Sequence, residues 1–395
     1  MPGLLISAGE ASGDAHAARL MRAFCELPGA PALPSFGLGG DAMRALGFEA
    51  MHHAREMAVT GISEALAGLP RYRRAFEDLL DAAETRRPDA AVLVDYPDFN
   101  IRLGAELRGR FPSLPIVYYI SPQVWAWRRS RVHDIASFAT LVLTIFPFEE
   151  EIYRRAGAPV RYVGHPLVDE VAMGQGVSRE IFLESLDLDP AVPAVALLPG
   201  SRVNEVRRIL PLMLEAASLL LREGRPIQFV LSSAPTLPPG LVSGMAESLV
   251  RAGAPIAVSF DRLYNVLSSC QAAAVCSGTA TVETGLMGVP MAVVYRVSPL
   301  SYFLARRIVR VPWISMVNIL AQEEVVPELV QGRFTPEALA AELRELLWNS
   351  QRRSVMLQGL GKMKTALGGP GAARRAAEAL REVMGSPHGA KGIIR

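Results

Sequence analysis

Three short stretches hold the residue types that could do chemistry. The first is Asp95-Tyr96-Pro97-Asp98, two carboxylates flanking Tyr-Pro after the apolar run Ala90–Val94. An aspartate in such a place can act as general base toward a sugar hydroxyl. Asp98 can equally cap a helix that begins near Phe99. The second stretch is Pro199-Gly200-Ser201-Arg202, a turn that leads into a long helical pattern. Arginine there can clamp a diphosphate while helix N–H groups bind its other oxygens, or it can stand as a solvated loop cation. The third is Ser277-Gly278-Thr279, where a run of small residues breaks into a short helix. Such a Gly-containing turn aims unpaired N–H groups and the positive helix end at one spot, which suits a phosphate. Glu283, one turn further on, can reach a ribose hydroxyl, although acid in a first turn is also favoured by the helix dipole. The working hypothesis from these residues is an activated nucleotide donor bound at Ser277–Glu283.

A fourth group combines aromatic bulk with cations: Trp125 and Trp127 with Arg128, Arg129 and Arg131. With no wider basic surface, a wall for a phosphorylated, partly apolar substrate ranks above nucleic-acid stacking. No metal site is expected. The histidines show no ligand spacing, and the adjacent His52 and His53 would point to opposite faces of a strand. Cys25, Cys270 and Cys276 are odd in number and form no CxxC pair, which fits a reduced, cytosolic compartment.

The elements that must position these residues alternate along the chain. Leu4–Ser7, Ser35–Leu38, Ala90–Val94, Ile116–Ile120, Leu141–Ile145 and Val160–Val163 read as strands, with helices near Ala15–Leu27, Tyr72–Thr85 and Pro147–Gly157 between them. The alternation pauses at Gly164-His165-Pro166 and resumes with Ala194–Leu198, Ile227–Leu231, Ile256–Ser259, Ala272–Cys276 and Met291–Tyr295. From Thr335 on, only helical patterns appear, and residues 386–395 look frayed. This is an α/β chain of two Rossmann-like, doubly wound domains with C-terminal helices. The expected boundaries are 1–165, a joint over 166–192, 193–348, and helices over 349–395 packing back on the first domain. In open parallel sheets, ligands bind outside the carboxyl ends of strands. Every Gly-bearing loop above lies at such an end, so the loops of the two domains are expected to face each other across one cleft.

Composition agrees. A chain of 395 residues, half of them hydrophobic and 20% charged, is long for one core and ample for two. The net charge of +2 calls for no nucleic acid. The start, Met-Pro-Gly-Leu-Leu-Ile-Ser, reads as a first strand and not as a signal peptide. No run approaches the roughly 18 apolar residues of a membrane span. Met57–Leu69 is apolar and Gly-broken, and Arg71, Arg73 and Arg74 follow it. It reads either as a docking stretch for an anionic membrane face or as a buried segment.

A set of segments then matches a known family. They are SAGEASGDAHAA (Ser7–Ala18), DYPDFN (Asp95–Asn100), YISPQVWAWRRSRV (Tyr119–Val132), PFEEEIY (Pro147–Tyr153), VGHPLVD (Val163–Asp169), LLPGSRVNEV (Leu197–Val206), SGTATVE (Ser277–Glu283), PMAVVYR (Pro290–Arg296) and Ile314–Gln331. In this order they resemble the lipid-A-disaccharide synthases, bacterial glycosyltransferases that make the β-1,6-linked lipid A disaccharide. The resemblance runs from about Leu4 to Leu346.

The resemblance implies the GT-B fold, UDP-2,3-diacylglucosamine as donor and 2,3-diacylglucosamine 1-phosphate as acceptor. It also implies no cofactor, no metal, and peripheral attachment to the cytoplasmic face of the inner membrane. It places Asp98 as the base, and Arg202, Ser277, Gly278, Thr279, Glu283 and Asn318 around the UDP. Ser12 and His16 fall in the N-terminal motif, near the acceptor or the diphosphate. One departure stands out: Ser315-Met316-Val317-Asn318 replaces the usual Ser-Leu-Pro-Asn and frees the local backbone. The alternatives are a UDP-N-acetylglucosamine 2-epimerase of the same fold, a lipid II glycosyltransferase (whose N-terminal Gly-Gly-Thr-Gly-Gly-His loop is absent), and a non-enzymatic membrane binder. Acyl-chain preference, any assistance of Asp98 by Asp95, and the oligomeric state, a homodimer included, stay open.

Overall fold

A computed structural model of the chain describes all residues except 1–2, 31–33, 58–61, 126–127, 129, 175, 300–301, 304–311 and 386–395, and only the backbone of 62–68. Trp127, Arg129, the tail from 386 and much of the apolar stretch Met57–Leu69 therefore lie outside the described residues.

The chain divides into two units, Met1–Pro166 with Gly369–Arg395, and Leu167–Gly368. In the first, the strands are β1 (Leu4–Ser7), β2 (Ser35–Gly39), β3 (Glu49–His53), β4 (Ala90–Val94), β5 (Ile116–Tyr119), β6 (Leu141–Thr144) and β7 (Val160–Tyr162). They form one parallel sheet in the order 3-2-1-4-5-6-7. In the second unit, β8 (Ala194–Leu198), β9 (Gln228–Ser232), β10 (Ile256–Ser259), β11 (Ala272–Cys276), β12 (Met291–Tyr295) and β13 (Glu328–Val330) form another, in the order 10-9-8-11-12-13. The central strands are continuous apolar runs, buried on both faces as a parallel sheet with helical crossovers demands. Two of the four edge strands, β3 and β13, escape the sequence pattern. They read Glu-Ala-Met-His-His and Glu-Leu-Val, too polar or too short to stand out.

Strand order decides where function sits. Each sheet starts in the middle and winds outward both ways. The winding reverses between β1 and β4 in the first unit and between β8 and β11 in the second. The loops leaving those pairs open a crevice at the carboxyl edge. They are the loops bearing Gly9, Asp95–Asp98, Arg202 and Ser277–Thr279.

Three segments differ from expectation. The first helix spans Ala11–Cys25, so Ser12 and Asp14 lie in a helical turn and not in a loop. Asp14 faces the next element, accepting N–H bonds from Gly40 (2.7 Å), Ala42 (2.9 Å) and Met43 (3.2 Å). The stretch 166–192, read as a joint, contains helices Pro166–Met173 and Arg179–Glu184 and groups with the second unit. Of the C-terminal helices, Ser350–Ala366 packs in the second unit, beside Thr279–Leu286 and Pro336–Trp348. Only Ala372–Gly385 returns to the first, lying on Ala11–Cys25. It is tied there by Arg375, which donates to the Val163 carbonyl (2.8 Å), and by the Arg161–Glu382 pair (2.7 Å).

Candidate active site

In the first unit, β4 ends at Val94 and the chain turns through Asp95 and Tyr96, both left-handed with φ of 47°. Tyr96 precedes the helix Pro97–Arg110, whose first residue is a proline already set for helical φ. Asp98 therefore lies inside the first turn. It is not the residue before the helix, and the capping alternative does not hold. A buried amide secures the turn. Asn100 Nδ2 donates to the carbonyls of Asp95 (2.8 Å), Val94 (3.1 Å) and Ser7 (3.1 Å), and its Oδ1 accepts from the Ser7 hydroxyl (2.6 Å). The Tyr118 hydroxyl donates to the Asp95 carbonyl as well (2.9 Å). Gly9, after β1, leaves the space that the Tyr96 ring fills; a Cβ there would run into the ring.

The two carboxylates of this turn have different surroundings. Asp98 is exposed, and its Oδ1 accepts from Arg128 (3.1 Å) and from Arg131. Asp95 is half-buried, and no described cation pairs with it. Burial, with Glu10 nearby, pushes the Asp95 carboxyl up to about 6, and a bond from the Tyr96 N–H partly opposes this.

Ser12 is exposed and His16 half-buried one turn later on the same helix face. Burial, then Arg19, pushes the His16 imidazole down to about 4. It faces His165, which burial drives to about 3 and whose ring packs against Phe146 (4.9 Å between centroids). Glu149 is buried beside them, accepting from the Trp125 indole N–H and the Phe146 N–H (3.3 Å each). Burial pushes it up to about 8. The reading of single motifs missed Glu149 and His165. The one local signal is that Glu149 is the third residue of a helix opened by Pro147, where an acid reaches back to the chain before the helix.

In the second unit, Gly200 (φ 115°) makes the turn after β8, and a Cβ there would press on Glu205 and the Cys276 sulfur. Arg202 precedes the helix Val203–Arg222 and pairs with Glu205 (2.9 Å), which raises its already high pKa. Tyr295 and Cys276 lie close enough to add to this, so Arg202 stands over the ends of β11 and β12. Across the reversal, Gly278 precedes the helix Thr279–Leu286, which no side chain caps. The first N–H groups of that helix are open to a ligand, and the space where a Gly278 Cβ would point is empty within 4 Å. The Ser277 hydroxyl donates to the Ile314 carbonyl (2.9 Å), which leaves its lone pairs to accept. Glu283 is half-buried and accepts from the Tyr264 hydroxyl (3.1 Å). Burial raises its pKa, Tyr264 opposes that, and Glu170 adds to it.

Asn318 differs from the rest. It is fully buried, and its amide is saturated: Nδ2 donates to Val326 O and Glu328 Oε1, and Oδ1 accepts from the N–H groups of Val325 and Val326, all at 2.9 Å. Glu328 also accepts from the N–H groups of Ile314 and Ser315 (2.9 Å each). Asn318 and Glu328 thus hold the backbone that in turn holds Ser277. At Val317, the departure from the expected Ser-Leu-Pro-Asn, the N–H donates to the Ser315 hydroxyl (3.2 Å), so the backbone is capped in place.

Beyond the carboxyl ends of β12 and β13 a cavity of about 710 Å³ is lined by Arg208, Arg296, Val297, Tyr302, Phe303 and Gln331, cations and aromatic rings that suit an amphiphile. A broader groove of about 1350 Å³ lies at the amino ends of β9 and β10 and includes none of the expected residues. Among the described residues, no group of three His, Cys, Asp or Glu is placed to share a metal ion.

Comparison with known proteins adds to this geometry. A family model described as lipid-A-disaccharide synthetase matches residues 4–383. The chain belongs to this family. It is 44% identical over 383 residues to the lipid-A-disaccharide synthase of Myxococcus xanthus, covering 97% of this chain and 98% of the relative. It is 42% identical over 382 residues to that of Geobacter sulfurreducens, covering 97% of each. Among solved structures, it is similar to a putative UDP-N-acetylglucosamine 2-epimerase from Listeria monocytogenes (TM-score 0.65, 15% identity, 97% of this chain and 96% of that one). It is also similar to MurG of Acinetobacter baumannii (TM-score 0.60, 13% identity, 97% and 100%). At such identities these two show the fold alone, that of the GT-B glycosyltransferases and epimerases.

Proposed function

We propose that the protein joins UDP-2,3-diacylglucosamine to 2,3-diacylglucosamine 1-phosphate, giving the β-1,6-linked lipid A disaccharide 1-phosphate and UDP. The observation that carries this reading is that Arg202 and the uncapped helix end at Gly278–Thr279 follow the neighbouring strands β8 and β11 at the point where the winding reverses, in a chain of this family. The diphosphate lies against the open N–H groups of that helix, with Arg202 on its other oxygens and the Ser277 hydroxyl donating elsewhere but still accepting. Glu283, oriented by Tyr264, accepts from a ribose hydroxyl. Asn318 supports this loop through Glu328 and does not itself touch the nucleotide. The 710 Å³ cavity beyond β12 and β13 takes part of the donor's acylated end.

The acceptor's 6-hydroxyl loses its proton to the aspartate turn as its oxygen attacks the anomeric carbon. UDP leaves from the opposite face, so the configuration inverts from α to β. Arg202 and the helix end stabilise the charge that grows on the departing diphosphate. In the first unit, Ser12 and His16 line the acceptor side, His16 as a neutral imidazole because burial keeps it so at neutral pH.

No helix among the described residues is long and apolar enough to cross a membrane. Acylated substrates then call for peripheral contact with the cytoplasmic face of the inner membrane. Arg71, Arg73 and Arg74, exposed on the helix Ile62–Arg86, supply the cations for it.

The test is to incubate the purified protein with UDP-diacylglucosamine, with and without the lipid acceptor. Acceptor-dependent UDP release with a disaccharide product supports the proposal. Conversion of the donor alone identifies an epimerase instead, and neither product removes both readings.

A further inference from the structure

We propose that Arg128 recognises the 1-phosphate of the lipid acceptor, and so tells the phosphorylated sugar lipid from one that lacks the phosphate. This rests on the transferase reading above and names the group in the first unit that reads its acceptor.

Three observations support it. The first is place. The loop that leaves β5 runs beside the aspartate turn that leaves β4, since the two strands are neighbours in the sheet. Its Arg128 donates to Asp98 Oδ1 (3.1 Å), and so does Arg131 from the helix Arg131–Phe138. Asp98 sets one carboxylate against these two guanidiniums, each of which carries five N–H donors in a fixed fork. Arg131 is buried, whereas the Arg128 side chain is about half exposed. Arg128 is thus the one of the pair that a ligand can reach.

The second is support. Arg128 is left-handed (φ 51°), a conformation that costs free energy in a non-glycine residue and gathers at ligand sites. The loop before it is anchored on buried groups. The Ser121 and Tyr153 hydroxyls bond each other (2.8 Å), and the Trp125 indole N–H donates to the buried Glu149 (3.3 Å). The Trp125 ring also meets Phe148 edge-on (5.4 Å between centroids). A long cation is thereby presented from a held backbone, which lowers the entropy lost when it grips a ligand.

The third is the route. The Tyr72 hydroxyl donates to the Asp98 carbonyl (2.7 Å), so the helix Ile62–Arg86 touches the aspartate turn directly. That helix carries Arg71, Arg73 and Arg74, the exposed cations proposed above for the membrane. An acylated substrate with a phosphate head that leaves the lipid surface at these cations meets the aspartate turn and Arg128 next.

No bond is made or broken at Arg128. A guanidinium binds a phosphate through parallel, charge-assisted N–H···O bonds and keeps its charge at every working pH. The acceptor's 1-phosphate and its 6-hydroxyl stand on opposite sides of one sugar ring. A guanidinium that bonds Asp98 at one edge and the phosphate at another spans a comparable distance, so holding the phosphate leaves the hydroxyl at the aspartate turn. The donor's diphosphate is assigned to the second unit, and lipid headgroups to Arg71, Arg73 and Arg74. The phosphate left for Arg128 is the acceptor's.

The experiment is a steady-state assay of the full chain in detergent micelles, for the native protein, Arg128→Ala and Arg128→Lys. The varied acceptor is 2,3-diacylglucosamine 1-phosphate, and the same lipid without its phosphate is the competitor. Arg128 is exposed, so both variants should fold, with the thermal melt as the check. The expected result is an acceptor KM higher by ~10–10²-fold in Arg128→Ala, the loss of a hydrogen bond to a charged group, with the donor KM kept. The inhibition constant of the unphosphorylated lipid should not change. Arg128→Lys should recover part of the loss, since it keeps the charge and loses the fork. An unchanged acceptor KM overturns the assignment. So does an inhibition constant that rises in step with the acceptor KM, which marks a merely structural effect. A raised donor KM with the acceptor KM kept assigns Arg128 to the diphosphate instead, and a matching loss of co-sedimentation with anionic vesicles that hold no acceptor assigns it to lipid headgroups; either overturns the proposal. In all of these the transferase reading stands. Absence of disaccharide from the native protein removes that reading, and this assignment with it.

Discussion

Glu149 offers the sharpest quantitative test of the first unit. Its carboxyl is fully buried, and burial lifts it from 4.5 to about 8. At pH 7 the folded chain thus holds a proton that the unfolded chain has released. The folded state binds more protons, so stability falls as pH rises from about 4.5 and stops falling above about 8. Glutamine at this position is nearly isosteric and has no proton to keep. Its amide can accept only one of the two bonds from Trp125 and Phe146, at a cost of about 1–3 kcal/mol that does not depend on pH. The informative quantity is the stability of Glu149→Gln minus that of the native chain, compared between pH 6.5 and pH 8. Titrating groups that do not interact with Glu149 cancel in that double difference. At about 1.4 kcal/mol per pH unit, reduced as the folded pKa is approached, the variant should gain about 1.5–2 kcal/mol on the native chain. Urea unfolding at the two pH values measures this, read on whichever transition the substitution shifts, since two units need not unfold together. A difference that is the same at both pH values, or that grows in the opposite sense, would refute the reasoning.

Other predictions concern the second unit and the membrane. Arg202→Ala should lower kcat/KM roughly 10²-fold, the loss expected when a donor to developing charge is removed; unchanged donor kinetics would dismiss Arg202 from the site. Glu328→Ala leaves the Ile314 and Ser315 N–H groups and the Asn318 amide without their common acceptor. It should cost about 1–3 kcal/mol in thermal unfolding and raise the donor KM, with Glu328→Gln recovering part of both; a donor KM equal to native would show that this support does not reach Ser277. Reversing the charges of Arg71, Arg73 and Arg74 should lower co-sedimentation with anionic phospholipid vesicles, an effect that fades with salt; equal binding would move the docking surface elsewhere.

Much of the fold is legible because its signals are local. Ala90–Val94, Ala194–Leu198 and Ala272–Cys276 are apolar runs bounded by turns, and each is a central strand as read. Gly288 and Pro290 end the short helix before β12, as their backbone preferences dictate. Strands β3 and β13 were not legible, because Glu-Ala-Met-His-His and Glu-Leu-Val are too polar or too short to stand out, whereas the other two edge strands, β7 and β10, carry β-branched residues that mark them. Asp95 and Asp98 were both visible as chemistry-bearing residues, but nothing within the turn says which of them an arginine takes.

What the sequence determined by itself is the alternation of strands and helices, the glycine turns at strand ends, and through its ordered segments the family. Those depend on side-chain period and backbone preference over a few residues. The tertiary structure alone decided the rest. It placed Asp98 on Arg131, which lies thirty-three residues along the chain. It sealed Asn318 against Glu328 and the Val325–Val326 backbone, and it buried Glu149 deeply enough to keep it protonated. It also returned Ala372–Gly385 to the first unit after a whole second domain. The physical reason is common to all four. Partner and burial are set by which strands pair and which helices cover them, a choice made across the whole chain that no local pattern records.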